Sequence, residues 1–116
     1  MAETTTTMNT RSVTAAISVI DIVGDVVPST EDMMLEAFAK CEPASIVVLN
    51  FTELAYMNSG GIGLLVTMLV RAQRNGQALR AYGLSDHYRH IFQLTRLDET
   101  IRLHDSEADA IAAIEA

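Results

Sequence analysis

The fold class that the sequence predicts is α/β, a single domain with helices packed on a sheet. Three observations carry this. The chain has 116 residues, which fits one domain. Apolar runs of strand length recur at 13–23, 45–51, 79–84 and 101–104. Helix-start residues and helically spaced apolar positions lie between these runs, and alternating strands and helices imply a layered α/β architecture.

Taken in order, residues 1–9 are polar and threonine-rich and read as a flexible N-terminal tail, with the domain spanning 10–116. The Val-, Ile- and Ala-rich run 13–23 ends at Gly24-Asp25 and fits either one long strand or a hairpin. Pro28-Ser29-Thr30-Glu31-Asp32 is a helix start, with Ser29 or Thr30 as cap and acids in the first turn. Met33, Met34, Ala37, Phe38 and Cys41 then give an apolar face at helical spacing, and Pro43 stops the helix. Residues 45–51 are apolar on both faces, the pattern of a central strand. A helix follows over 59–75, stopped by Gly76, with Arg71 and Arg74 complementing its dipole. Next come a strand at 79–84, a helix at 86–94 capped by Ser85, and a short strand at 101–104. The last element is an alanine-rich helix over 106–116, with apolar positions at Ala108, Ile111, Ala112 and Ile114.

Composition narrows the function classes. Hydrophobic residues are 49% of the chain and aromatics 5%, with no Trp, so the core should be aliphatic and methionine-rich. A net charge of −7 argues against nucleic acid and anionic membrane as partners and favours a basic protein surface. The single cysteine, Cys41, excludes an internal disulfide and fits a reducing compartment. The N-terminal residues show no secretory pattern, and no apolar run approaches the roughly 20 residues of a membrane span. A cytoplasmic location is expected.

The most informative stretch is 45–63, SIVVLNFTELAYMNSGGIG. It places Ser59 where a buried strand turns into a helix. Its hydroxyl is expected to cap the first turn, among unpaired N–H groups at the positive end of the dipole, where a phosphate is also well placed. Gly60, Gly61 and Gly63 follow, and each glycine inside a helix costs about 1 kcal/mol relative to alanine. They permit close packing on a neighbouring strand, close approach of a partner backbone, or both. The spacing matches neither a P-loop, a dinucleotide fingerprint nor a GxSxG elbow. The helix is apolar nearly all round. Ile62, Leu65, Val66 and Leu69 are expected to pack on the sheet, leaving Leu64 and Met68 beside Ser59 as part of either a wide buried face or a docking face.

Other chemistry is sparse. His87 and His90 are three apart on one predicted helix, but no Cys or acidic partner clusters with them or with His104, so no metal site is expected. Glu31, Asp32, Glu36 and Glu42 form an acidic helix face. No nucleophile is paired with a base, so neither an enzyme nor a cofactor is expected.

The order of elements, with Met57-Asn58-Ser59-Gly60-Gly61-Ile62-Gly63 at the central junction, resembles the STAS domain over about residues 13–115. The later segment LSDHYRHIFQLTRL at 84–97 is also similar, with its helical phenylalanine and following leucine. Among STAS domains the chain looks most like the small free-standing anti-sigma-factor antagonists. The resemblance implies a mixed sheet of about four to five strands with about four helices. It also implies a partner that is both anti-sigma factor and serine kinase, a phosphatase that reverses its action, and a bacterial partner-switching role in transcription and stress response. Ser59 falls on the phosphoacceptor position of the family. The partner contacts it implies are Asp25, Asn58, Ser59, Gly60, Gly61, Ile62, Leu64 and Met68. A homodimer stays open.

The chain departs from the family motif in three places. Asn58 stands where the family usually has Asp, Gly60 where a second Ser or Thr is common, and Val27 near where many relatives carry an acid. An added phosphate brings about −1.5 to −2 charges to a docking surface, which is the physical basis expected for a switch. The rival reading is a structural STAS subunit of a larger signalling assembly, with the Ser59 turn as a fixed interface and no phosphorylation switching.

Overall fold

The computed structural model describes residues 5–113. Five strands and four helices are joined in the order β1 (Thr7–Ser12), β2 (Ile17–Val26), α1 (Glu31–Ala39), β3 (Ile46–Met57), α2 (Ser59–Arg74), β4 (Ala78–Tyr82), α3 (Asp86–Leu94), β5 (Arg102–His104) and α4 (Glu107–Ala112). The sheet is mixed, with strand order β1-β2-β3-β4-β5. β1 pairs antiparallel with β2, and the other neighbours are parallel. The predicted α/β class and the central position of the strand after Pro43 both hold.

Each parallel strand is laid beside its predecessor in one direction. Right-handed crossovers then put α1, α2 and α3 on the same face. The core follows this rule: Ile20, Ile22, Val47, Leu49, Phe51, Leu79 and Ala81 pack against Met34, Phe38, Leu65, Met68 and Phe92. The opposite face holds a smaller cluster, Val19, Val48 and Tyr82 with Ala110 of α4.

That second face carries a polar row. The register aligns Asn9, Asp21, Asn50, Tyr82 and His104, one from each strand. Arg11 clamps Asp21 through Nε at 2.6 Å and Nη2 at 2.9 Å, and it also reaches Glu107 of α4 at 2.5 Å. Asn50 Nδ2 donates to Asp21, and the Tyr82 hydroxyl donates to Glu107. The Arg11 guanidinium holds the Asp21 and Glu107 carboxyls below their usual range, assisted at Asp21 by Asn50 and at Glu107 by Tyr82. Burial, then the neighbouring Glu107, pushes the Tyr82 phenol up to about 12. The buried Nε2 of His104 has no hydrogen-bond partner among the described residues.

Several element expectations are corrected. The flexible tail expected over 1–9 is corrected where it is described: Thr6 bonds the Asp25 backbone and Thr7–Asn9 lie in β1, where Met8 is buried in the core; residues 1–4 lie outside the described residues. One buried methionine in a polar edge strand leaves almost no alternating signal. The run at 13–23 belongs to a hairpin: residues 13–16 turn, and β2 continues through Gly24-Asp25 to Val26. Gly24 does not end the strand. It sits at a register shift with φ +99, and an added Cβ would lie 2.8 Å from the Thr5 carbonyl oxygen.

In α1, Met34, Ala37 and Phe38 are buried, with Cys41 just beyond, but Met33 faces solvent. Thr30 precedes α1 without capping it; its hydroxyl turns back to donate to the Val27 carbonyl at 2.7 Å. Gly76 stops α2 as expected, at φ +71. α4 is shorter than predicted, with Ala110 as its buried residue while Ala108 and Ala112 are exposed. Ile114 lies outside the described residues. Burial raises the Cys41 thiol pKa, which keeps it protonated.

Candidate functional site

β3 is twelve residues long, whereas β4 pairs only with its first five, 46–50. Its outer half pairs with β2 on one side, and the ladder closes at Val26–Met57. Asp25 sits one rung earlier, opposite Tyr56, so it lies at the same end of the sheet as the serine turn. The Asp25 backbone is held by the Thr6 hydroxyl on both its N–H and its carbonyl, each at 3.1 Å. On the other side of β3, the Met57 N–H donates to the Tyr88 hydroxyl of α3 at 2.9 Å. Tyr88 therefore anchors the backbone immediately before Asn58-Ser59. No contact was expected on α3, and Tyr88 escaped sequence reasoning because only the fold brings it to Met57. Further along α3, Phe92 packs edge-to-face on Phe51, centroids 6.3 Å apart.

The cap of α2 is Asn58, not Ser59. Asn58 Oδ1 accepts from the Gly61 N–H at 2.8 Å, and its carbonyl accepts from Ile62. The expected cap at Ser59 is thus displaced by one residue: the extended backbone at Asn58 points its amide into the first turn, and Ser59 is already helical. The Ser59 side chain is exposed and its hydroxyl makes no hydrogen bond among the described residues. The first turn of α2 contains no acidic residue.

The three glycines separate by role. A Cβ on Gly61 would lie 1.9 Å from the Val26 carbonyl oxygen, and one on Gly60 would lie 2.5 Å from Pro28 Cγ. Both are required for α2 to start against the end of β2 and the turn after it. Gly63 is exposed, and its Cβ would meet nothing within 4 Å.

Two expected contacts are corrected. Leu64 and Met68 are buried, 6% and 0% exposed, under α2. At about 100° per residue, Leu64, Leu65, Met68, Leu69 and Ala72 form one stripe, which is the stripe that meets the sheet. Ser59, Gly63, Val66 and Val70 fall on the opposite stripe, with Val66 40% and Val70 43% exposed. Ile62 lies half-buried at the border. Val66, expected to pack inward, is therefore outward-facing. No cluster of His, Cys, Asp or Glu suited to a metal ion occurs among the described residues. No helix there is long and apolar enough to cross a membrane.

The fold is thus a mixed sheet with α1, α2 and α3 on one face and the central strand running into an open serine turn. The STAS domain model matches residues 9–110, and the chain belongs to that family. It is similar to the anti-sigma-B factor antagonist of Listeria monocytogenes, 27% identical over 92 residues, which cover 78% of this chain and 81% of the relative. Among solved structures it resembles an anti-sigma factor antagonist from Mycobacterium paratuberculosis, with TM-score 0.76 and 18% identity over 95% of this chain and 94% of that one. It also resembles the unphosphorylated anti-sigma factor antagonist SpoIIAA, with TM-score 0.70 and 19% identity over 90% of this chain and 94% of that one. At these identities the solved structures establish the fold.

Proposed function

We propose that this chain is an anti-sigma-factor antagonist that works as a cytoplasmic, non-catalytic binding protein in a bacterial partner-switching pathway. It binds an anti-sigma factor with serine kinase activity through the Ser59 turn and the outward stripe of α2. The observation that carries the reading is the side chain of Ser59: exposed, at the first helical position, and relieved of capping by Asn58. A serine held only for helix stability would be expected at the cap itself. Phosphate on this hydroxyl adds bulk and about two negative charges at the start of the contact stripe. A phosphoserine phosphatase then restores the binding form. Support from relatives comes through the Listeria antagonist and through SpoIIAA, whose fold has also been solved in a phosphorylated form.

The test has two parts. Phosphopeptide mass spectrometry on protein from its own cells is expected to find phosphate on Ser59 under at least one of growth, starvation or stress. Ser59→Glu is expected to weaken binding to the anti-sigma factor at least ten-fold. A Ser59→Glu chain that binds as tightly as wild type would overturn the switch.

A further inference from the structure

The outward stripe of α2 does not end with Val70. Arg74 lies on the same side, one turn further on, and Arg71 flanks it. Val66, Thr67, Val70, Arg71 and Arg74 line an open groove of about 400 Å³. Elsewhere Arg11, Lys40, Arg89 and Arg96 are paired with carboxylates of the chain, Arg80 donates to the Ala110 carbonyl, and Arg102 stands singly on the edge strand β5 with no carboxylate partner among the described residues. Arg71 and Arg74 make no such pair among the described residues, although the chain carries a net charge of −7. Two neighbouring cations with no carboxylate in salt-bridge reach, at the rim of exposed valines, form a local basic patch on an acidic chain.

We infer that Arg71 and Arg74 are a fixed anchor for the partner. The anchor engages a protein surface that presents an apolar side chain to Val66 and Val70 and carboxylates to the two guanidiniums. The inference deepens the Ser59 reading and rests on it for the identity of the partner, the anti-sigma factor. α2 rises about 1.5 Å per residue, so Arg74 lies roughly 22 Å from Ser59 along the axis. A phosphate on Ser59 is thus beyond two Debye lengths of the anchor at physiological salt, about 8 Å each. One end of the helix carries the switch, and the other carries a constant attraction that governs the encounter.

The experiment compares the full chain as wild type, Arg71→Glu/Arg74→Glu, Arg71→Gln/Arg74→Gln and Ser59→Glu. Each is measured against the anti-sigma factor captured by the wild type from its own cells and identified by mass spectrometry. Stopped-flow association is followed from low to high salt. The charge-reversed chain is expected to associate at least ten-fold more slowly at low salt, with the difference closing as salt rises. The Gln pair is expected to fall between, and circular dichroism checks that all variants fold. Unchanged association for both arginine pairs overturns the anchor; if Ser59→Glu still weakens binding, the switch stands without it. If the arginine pairs slow association and Ser59→Glu binds like wild type, the anchor stands and the switch falls. Self-association abolished by the arginine variants would assign the groove to a second copy and overturn the proposal. So would the failure of the wild type to retain any anti-sigma factor.

Discussion

Replacing Gly63 with alanine should make the folded chain more stable and its partner complex weaker. Glycine inside a helix is about 0.5–1 kcal/mol less favourable than alanine, because its backbone loses more freedom on ordering. At Gly63 nothing inside the molecule offsets that: the space a Cβ would occupy is open to 4 Å, and φ is not in the left-handed region. The Gly63→Ala chain should therefore gain most of this difference, raising the midpoint of thermal unfolding by about 4 °C for a domain of this size. On the contact stripe the added methyl would stand between α2 and a backbone lying against it. Overfilling a packed interface costs about 1–3 kcal/mol, or roughly five- to 150-fold in Kd. Thermal melts give the first number and titration against the anti-sigma factor gives the second. Loss of stability would mean the site is not open as described. A gain in stability with unchanged binding would remove Gly63, and the stripe through it, from the interface. Gly61→Ala is the internal control, since its Cβ would strike the Val26 carbonyl at 1.9 Å and the chain should lose stability.

Other substitutions separate cap, anchor and polar row. Asn58→Ala should cost about 0.5–2 kcal/mol by removing the cap of α2, read by chemical denaturation. Asn58→Asp keeps an acceptor and adds a negative charge at the helix start, so it should match or exceed wild-type stability. Tyr88→Phe leaves the Met57 N–H without its acceptor, so amide exchange at Met57 and the following turn should accelerate while core amides hold. The carboxyls of Asp21 and Glu107 lie lower in the folded than in the unfolded chain. Their contribution is then present above the unfolded value of about 4 and lost as pH falls through the folded values. Asp21→Asn should flatten that acid limb in urea melts, by less than about 1 kcal/mol because the Arg11 pairs are exposed. Tyr82 is raised, so its share is present below about pH 10 and lost as pH rises toward about 12; a late phase in absorbance at 295 nm should disappear in Tyr82→Phe.

The sequence made the strands and helices legible where periodicity was strong. The apolar run at 45–51 marked a strand buried on both faces, and Ser85 and Ser106 marked helix starts whose hydroxyls do accept first-turn amides. β1 was hidden because an edge strand needs only Met8 to face the core. The serine turn was legible as a place but not in its roles. Asn and Ser are both good caps, and only the extended backbone at Asn58 decides between them. The stripe of α2 was misassigned because an all-apolar helix gives no phase, and the sheet supplied it. Tyr88 and the row from Asn9 to His104 join residues far apart in sequence, so no local pattern announces them.

The strand order of the sheet is also the order of synthesis. As the chain leaves the ribosome, each new strand finds its neighbour already in place at one growing edge, with no strand to be inserted between two others. Vectorial folding of this kind leaves one step for last. Glu107 must return across the sheet to Arg11, 96 residues earlier, and to Tyr82. Until the C-terminal residues are made, the face bearing Val19 and Val48 has no helix over it. A chain lacking α4 would carry a formed sheet with one uncovered apolar side, the kind of transiently exposed surface that favours aggregation.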